Sequence, residues 1–153
     1  MRRAVLFLLV GLLGCDDDGP SADDDDGASS GSTADGPHAL CIDLINEYRD
    51  TLGLPPYDRW SDAESCSDDE AESDAMTGQA HGAFPQCGES AQNECPGWSG
   101  PPESMIGSCL DLMWGEGPGG GHYENMANSS YSQAACGFYA LANGEVWSVQ
   151  NFR

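Results

Sequence analysis

Apolar residues recur every three to four positions between residues 39 and 53, where Leu40, Leu44, Ile45, Tyr48 and Leu52 share one face at a period of about 3.6. This spacing predicts an amphipathic helix, stopped by Gly53 and the two prolines that follow. A second helix is expected from about residue 62 to 77. Ser61 stands three residues before Glu64, the pattern of a capping box, and Gly78 lies past the end. Its acidic run DDEAESD reads as a solvated face. From 78 to 101 no period is visible, and glycines, prolines and two cysteines predict a long loop, functional or pinned by crosslinks. Helical spacing returns with Met105, Cys109, Leu112 and Met113, Pro102 suits the first turn, and the glycine-rich run from 115 to 121 ends it. The last two runs, ACGFYAL and EVWSVQNF, flank Asn143-Gly144, the pair that best supports a type I′ hairpin turn. Both runs are apolar on both faces, as in strands covered on two sides. The class is therefore mixed α and β, with helices packed on a small antiparallel sheet.

The N-terminal pattern differs from all of this. Arg2 and Arg3 precede the apolar run AVLFLLVGLL, and LLGC closes it. Such a run is too short for a bilayer core of about 30 Å and reads as a secretory signal. Its ending resembles the bacterial lipobox, which makes residues 1–14 a lipoprotein signal peptide and Cys15 the lipid-bearing terminus. Residues 15–36 then form a tether: beyond Cys15 they contain no large apolar residue and eight aspartates, too little apolar surface to offset the entropy of ordering. A calcium role for these aspartates is weakly supported, since their spacing lacks the glycine and final glutamate of an EF-hand loop.

Residues 37–153 suffice for one compact domain. Of the 26 acidic residues eight lie in the tether; the other 18 face only Arg49, Arg59 and Arg153, a net charge of −15 with no lysine anywhere. That field makes nucleic acid and anionic membrane surfaces poor partners. Six cysteines remain after Cys15, namely Cys41, Cys66, Cys87, Cys95, Cys109 and Cys136. In an exported domain of this size they predict up to three disulfides, with the connectivity open. No closely spaced C-x-x-C pair suggests zinc.

Candidate chemistry centres on two of the three histidines. His81 in QAHGAF and His122 in GGGHYENM sit at loop edges with acidic residues near in sequence, Glu89 and Glu94 after the first, Glu116 and Glu124 around the second. Imidazole and carboxylate converging on a cleft could ligate a divalent metal such as zinc or act as general acid and base. The glycines before His122 would let the backbone turn sharply enough to aim its ring. His38, beside the tether, reads as a solvated residue. Trp60, Trp98, Trp114 and Trp147 read as packing residues.

In order along the chain, LINEYRDTLGLPPYDRW, AHGAF, MWGE, GHYENM and ACGFY…VWSVQNF resemble the successive motifs of CAP domains, the superfamily of cysteine-rich secretory proteins, antigen 5 and plant pathogenesis-related proteins. The resemblance covers about residues 39 to 153. It implies a three-layer α/β/α sandwich with a central cleft of two histidines and two acidic residues. His81, Glu116 and His122 carry over directly, as cleft residues and as the catalytic candidates, with Tyr123 beside them. The fourth position has two candidates, Glu89 in CGES, narrowly favoured, or Gln92 in AQNE with Glu94 beside it. ENMANSS after Tyr123 departs from the family pattern, so the wall of the cleft differs.

The first functional expectation is an exported, lipid-anchored binding module at a bacterial membrane, cell envelope or surface. Its ligand would be a small amphiphile such as a lipid or sterol-like molecule, a divalent metal, or an extracellular protein. It requires no cofactor; a metal, if held, would be zinc or another divalent ion on His81 and His122. The alternatives are a structural cell-surface protein without a ligand and a metal-assisted hydrolase using the His and Glu groups.

Overall fold

The computed structural model describes residues 36–153; the signal peptide, Cys15 and the tether up to residue 35 lie outside the described residues. Helix α1 (Gly36–Thr51) is followed by a two-residue strand β1 (Asp58–Arg59), a 3-10 turn (Ser61–Ala63) and α2 (Glu64–Thr77). Then come β2 (Ala91–Ser99), α3 (Pro102–Gly115), α4 (Gly121–Ala127), β3 (Gln133–Ala140) and β4 (Glu145–Phe152). The strands form one sheet in the order β1-β3-β4-β2, antiparallel except for the β1–β3 pairing.

The sheet is covered on both sides, which is why the β3 and β4 sequences are apolar throughout. Successive side chains of a strand point to opposite faces. Cys136 of β3 is bonded to Cys41 of α1, whereas its neighbour Gly137 lies against the backbone of Ser67 in α2. So α1, with α3 and α4, packs on one face and α2 on the other, giving three layers of the α/β/α type. The main core lies on the α1 side: Ile42, Ile45, Ile106, Leu110, Met126, Val146 and Phe152 are all buried there. Among the described residues no helix is long and apolar enough to cross a membrane.

All six domain cysteines pair: Cys41–Cys136, Cys66–Cys87 and Cys95–Cys109. In chain-entropy terms such links contribute about 3 kcal/mol for a loop of some 15 residues and more for longer ones. Cys41–Cys136, with a sequence separation of 95, closes the longest of these loops.

Several local expectations are corrected. The predicted loop from 78 to 101 contains β2, an edge strand whose pairing is interrupted between Cys95 and Trp98, at Pro96-Gly97. A proline is tolerated there because an edge strand has no ladder partner on one side. Ser61 forms no capping hydrogen bond; Glu64 instead accepts a forked bond from Arg59, at 2.5 and 3.0 Å. The hairpin turn is not type I′, since Asn143 has no positive φ. Gly144 N bonds Leu141 O, Leu141 N bonds Glu145 O, and Gly144 at φ 88 takes the left-handed position of a three-residue loop. Leu52 and Leu112 are exposed at 48% and 66%, and α1 buries Arg49 in the place given to Leu52.

Arg49 is fully buried and satisfied. Its Nε donates to Pro55 O at 2.9 Å, its Nη1 to Met126 O at 2.7 Å and Asn128 O at 3.0 Å, and its guanidinium sits 3.5 Å over the Tyr57 ring. Because carbonyls cannot fix a cation as strongly as a carboxylate, burial lowers its pKa. His38 is half-buried rather than solvated, its Nε2 2.9 Å from Asp68 Oδ1 and its ring edge-on to Phe138.

Candidate functional site

The inward face of α2 is polar. Ser67, Glu70 and Asp74, spaced three and four apart, are buried against the sheet, so the acidic run is solvated on one side only. What they meet is a row of amides. Gln92 and Asn151 face each other across the β2–β4 ladder. Asn151 Nδ2 donates to Ser67 Oγ at 3.0 Å and to Glu70 Oε2 at 2.6 Å. Gln92 Nε2 donates to Glu70 Oε2 at 3.2 Å and to Asn151 Oδ1 at 3.0 Å.

This network decides the chemistry of His81. With both amide protons of Gln92 committed, its Oε1 can only accept, and His81 Nδ1 lies 2.9 Å from it. Nδ1 therefore carries a proton, so the neutral ring is the Nδ1–H tautomer with its lone pair on Nε2, which has no hydrogen bond to the described residues. The backbone is held as firmly. His81 has φ 59, the left-handed region where histidine is among the tolerated residues, and its N–H donates to Glu94 Oε2 at 2.5 Å. Ala83 N donates to Asp74 Oδ1 at 2.8 Å and Gln86 N to Glu70 Oε1 at 3.0 Å, so α2 and β2 carboxylates pin the whole segment. Beside it lies a cavity of about 240 Å³ lined by His81, Phe84 and Gln92, with the Phe84 ring partly exposed.

Burial shifts these acids. It pushes Glu94 up to about 7, against the downward pull of the His81 N–H, and it raises Asp74 and Glu70 as well. Asp74 Oδ2 and Glu94 Oε1 have no other partner, and the two carboxyls face one another, which a shared proton satisfies.

The second histidine is built differently. Gly117 and Gly119 take positive φ values of 67 and 97, turning the chain after α3 back into α4. Gly120 serves by its lack of a side chain, since a Cβ there would collide with Cβ and Oε2 of Glu116. Glu116 can therefore reach His122: its Oε1 lies 2.6 Å from His122 Nδ1 and its Oε2 accepts the His122 N–H at 3.1 Å. The His122 hydrogen bond holds the exposed Glu116 carboxyl below the usual range. Tyr123 joins an aromatic row, 4.5 Å from Trp114, which stacks 5.2 Å from Tyr48.

Strand β2 links the two halves. Gln92 and Glu94 point to the α2 face, and Asn93 points to the other, donating to His122 O at 3.0 Å and accepting from Asn125 Nδ2 at 2.9 Å. Adjacent residues of one edge strand thus hold the His81 ring and the His122 backbone from opposite faces. No hydrogen bond or ion pair joins His81 or Gln92 directly to His122 or Glu116 among the described residues. No hydrogen bond or ion pair joins Glu89 to His81 among the described residues; its carboxyl lies beside Glu70, whereas Gln92 and Glu94 accept from His81. Among the described residues, the one group of three His, Cys, Asp or Glu ligand atoms within 4.8 Å of one another is Glu70, Cys87 and Glu89, so His81, Glu116 and His122 as they stand form no three-ligand cage for zinc. Asn93, Asn125, Glu70 and Asp74 went unseen in the sequence. The three-and-four spacing of Ser67, Glu70 and Asp74 around buried Ala71 is the signal that could have exposed the last two.

Residues 42–152 match the family model described as CAP, the cysteine-rich secretory protein family. A search of curated proteins found no match. Among solved structures the chain is similar to Na-ASP-1, with a TM-score of 0.58 and 12% identity over 76% of this chain and 38% of that one. It is also similar to an outer surface protein from Borrelia burgdorferi, with a TM-score of 0.56 and 13% identity over 75% of this chain and 90% of that one. A third is a cysteine-rich secretory protein from Staphylococcus aureus, with a TM-score of 0.52, 14% identity and coverage of 76% and 38%. This chain thus spans well under half of the first and third. At these identities the likeness is one of fold.

Proposed function

Because this chain belongs to the cysteine-rich secretory protein (CAP) family, we propose that it is an exported, lipid-anchored binding module whose ligand is a small amphiphile held beside His81. Export is supported by three disulfides in a domain of this size, which an oxidising compartment allows. Attachment through Cys15 is supported by the basic, apolar and LLGC pattern of residues 1–15.

The observation that carries the ligand is the cavity of about 240 Å³ with chemically unlike walls. Phe84 offers an apolar surface, and His81 Nε2 offers a lone pair whose tautomer is fixed by Gln92. Small-ligand sites combine a mainly apolar lining with a few fixed polar groups. The matching molecule has a hydroxyl to donate to Nε2 and a short apolar portion to lie on Phe84. Its tail need not be enclosed, because the cavity is open to solvent and small beside sites of about 300–1,000 Å³.

The test is native mass spectrometry of the intact chain exposed to a lipid extract, alongside Phe84→Asp and His81→Ala. Retention of hydroxyl-bearing amphiphiles by wild type and their loss from both variants supports the reading. A wild type that emerges bare, or variants that retain the same molecules, refutes it.

A further inference from the structure

Cys66–Cys87 is unlike the other two disulfides. Cys41, Cys136, Cys95 and Cys109 are at most 3% exposed and belong to the main core, where their bonds tie α1 to β3 and β2 to α3. Cys66 and Cys87 are only partly buried and stand outside that core. Their bond joins the first turn of α2 to the segment between α2 and β2. Thiol–disulfide exchange requires a thiolate to reach the sulfur it attacks, so exposure decides which bond reacts.

We propose that Cys66–Cys87 is a thiol–disulfide exchange site, at which a dithiol reductant cuts the link and frees the segment that carries His81 while the core stays folded. The two cysteines are 21 residues apart, and the loop they close contains His81 and Phe84. These are two of the residues lining the cavity; Gln92, the third, lies outside the loop on β2. Cutting the bond therefore loosens one wall of the cavity and leaves the other in the sheet. The segment keeps polar links to α2, from Ala83 N to Asp74 Oδ1 and from Gln86 N to Glu70 Oε1, so it loosens without leaving the domain.

The two sulfurs are not equivalent. Cys66 is the third residue of α2, and a helix N-terminus favours a thiolate. Cys87 Sγ instead lies within 4.8 Å of a carboxyl oxygen of Glu70 and one of Glu89, which disfavour negative charge on it. The thiol that better carries the charge leaves faster, so Cys66 is the leaving group and Cys87 takes the attack. One thiolate of the dithiol bonds to Cys87 Sγ, the Cys66–Cys87 bond breaks, and Cys66 departs with the electron pair and takes up a proton. The second thiol of the reagent then displaces Cys87 from the mixed disulfide. The reagent ends as a disulfide, oxidised by two electrons, and its two protons are matched by those on the two protein thiols.

The experiment takes the intact chain, blocks any thiol already present with N-ethylmaleimide, exposes it briefly to dithiothreitol without denaturant, and labels the new thiols with isotopically heavy N-ethylmaleimide. Peptide mass spectrometry should find Cys66 and Cys87 labelled at least about tenfold faster than the four core cysteines. Equal rates, or earlier labelling of either core pair, would overturn the proposal. Amide exchange of the chain cut at this bond alone should quicken at residues 79–90 and hold at β3 and β4. Unchanged exchange at 79–90, or lost protection at β3 and β4, would overturn it as well. With 2-mercaptoethanol the adduct should sit on Cys87 and the label on Cys66, and the reverse pattern would overturn the assignment of the leaving sulfur. None of these readouts involves an amphiphile, so their failure is distinguishable from failure of the cavity reading.

Discussion

His81 Nδ1 lies 2.9 Å from Gln92 Oε1, and the remaining polar atoms of that amide are already bound to Glu70 and Asn151. A ring on a surface loop thus takes its tautomer from a buried helix. Replacing Gln92 with Leu frees the ring and leaves buried groups on Glu70 and Asn151 short of donors and acceptors. The expected cost is about 2–4 kcal/mol in urea unfolding, since each orphaned buried group costs about 1–3. The His81 ring nitrogens should show a protonated Nδ1 in the neutral wild type and a mixture in the variant. A variant with unchanged ring shifts would contradict the assignment.

Glu94 predicts a pH dependence of known sign. Burial raises it from an ordinary 4.5 to about 7, so the folded chain binds its proton more tightly than the unfolded chain does. Its contribution to stability is complete below about 4.5 and is lost as pH rises through about 7. Asp74, also raised by burial, acts in the same direction. Urea midpoints should fall across this window in wild type, and Glu94→Gln, neutral at every pH, should flatten the fall and exceed wild type above it. A wild type that gains stability over the same interval would refute the account.

Gly120→Ala tests how Glu116 reaches His122. The added methyl collides with Glu116, so the His122 ring should lose its 2.6 Å partner and Glu116 should titrate closer to an ordinary carboxylate. Carbon-detected titration of the Glu116 carboxyl reads this directly, and an unchanged, still depressed value would count against it. Gly121→Ala is the control, because its Cβ would meet nothing.

Arg49→Leu removes a buried cation that serves three carbonyls and a tyrosine ring. Hydrogen bonds to charged groups are worth about 1.5–3 kcal/mol each, and the stranded carbonyls add to the loss, so destabilisation by about 3 kcal/mol or more is expected. Denaturant unfolding measures it. A loss below about 0.5 kcal/mol, the scale of a surface substitution, would show that the guanidinium is dispensable.

Much of this molecule could be read from its sequence, for a physical reason. Elements whose burial is apolar announce themselves: α1, α3 and the β3–β4 hairpin were found where they lie, by period and by the Asn-Gly pair, although the turn type was misjudged. The α2 interior was not, because its buried positions are Ser67, Glu70 and Asp74, and a pattern of hydrophobic residues is blind to buried polar ones. Strand β2 was missed for the same reason, since Gln92, Asn93 and Glu94 occupy its core. His81, Glu116, His122 and Tyr123 were singled out from short motifs. Gln92 and Glu94, which His81 contacts, stand in the sequence only as alternatives to Glu89, and Asn93 becomes visible only where the sheet places it against the His122 carbonyl.

Titrating the intact chain with a hydroxyl-bearing amphiphile such as 1-octanol, followed through the ring nitrogen resonances of both histidines, decides whether the cavity beside His81 holds a ligand. The cavity described here predicts that His81 Nε2 shifts with saturation while Nδ1 stays protonated on Gln92 and His122 does not respond. A saturating shift at His122 with His81 unmoved, or no saturating shift at either ring, would contradict it.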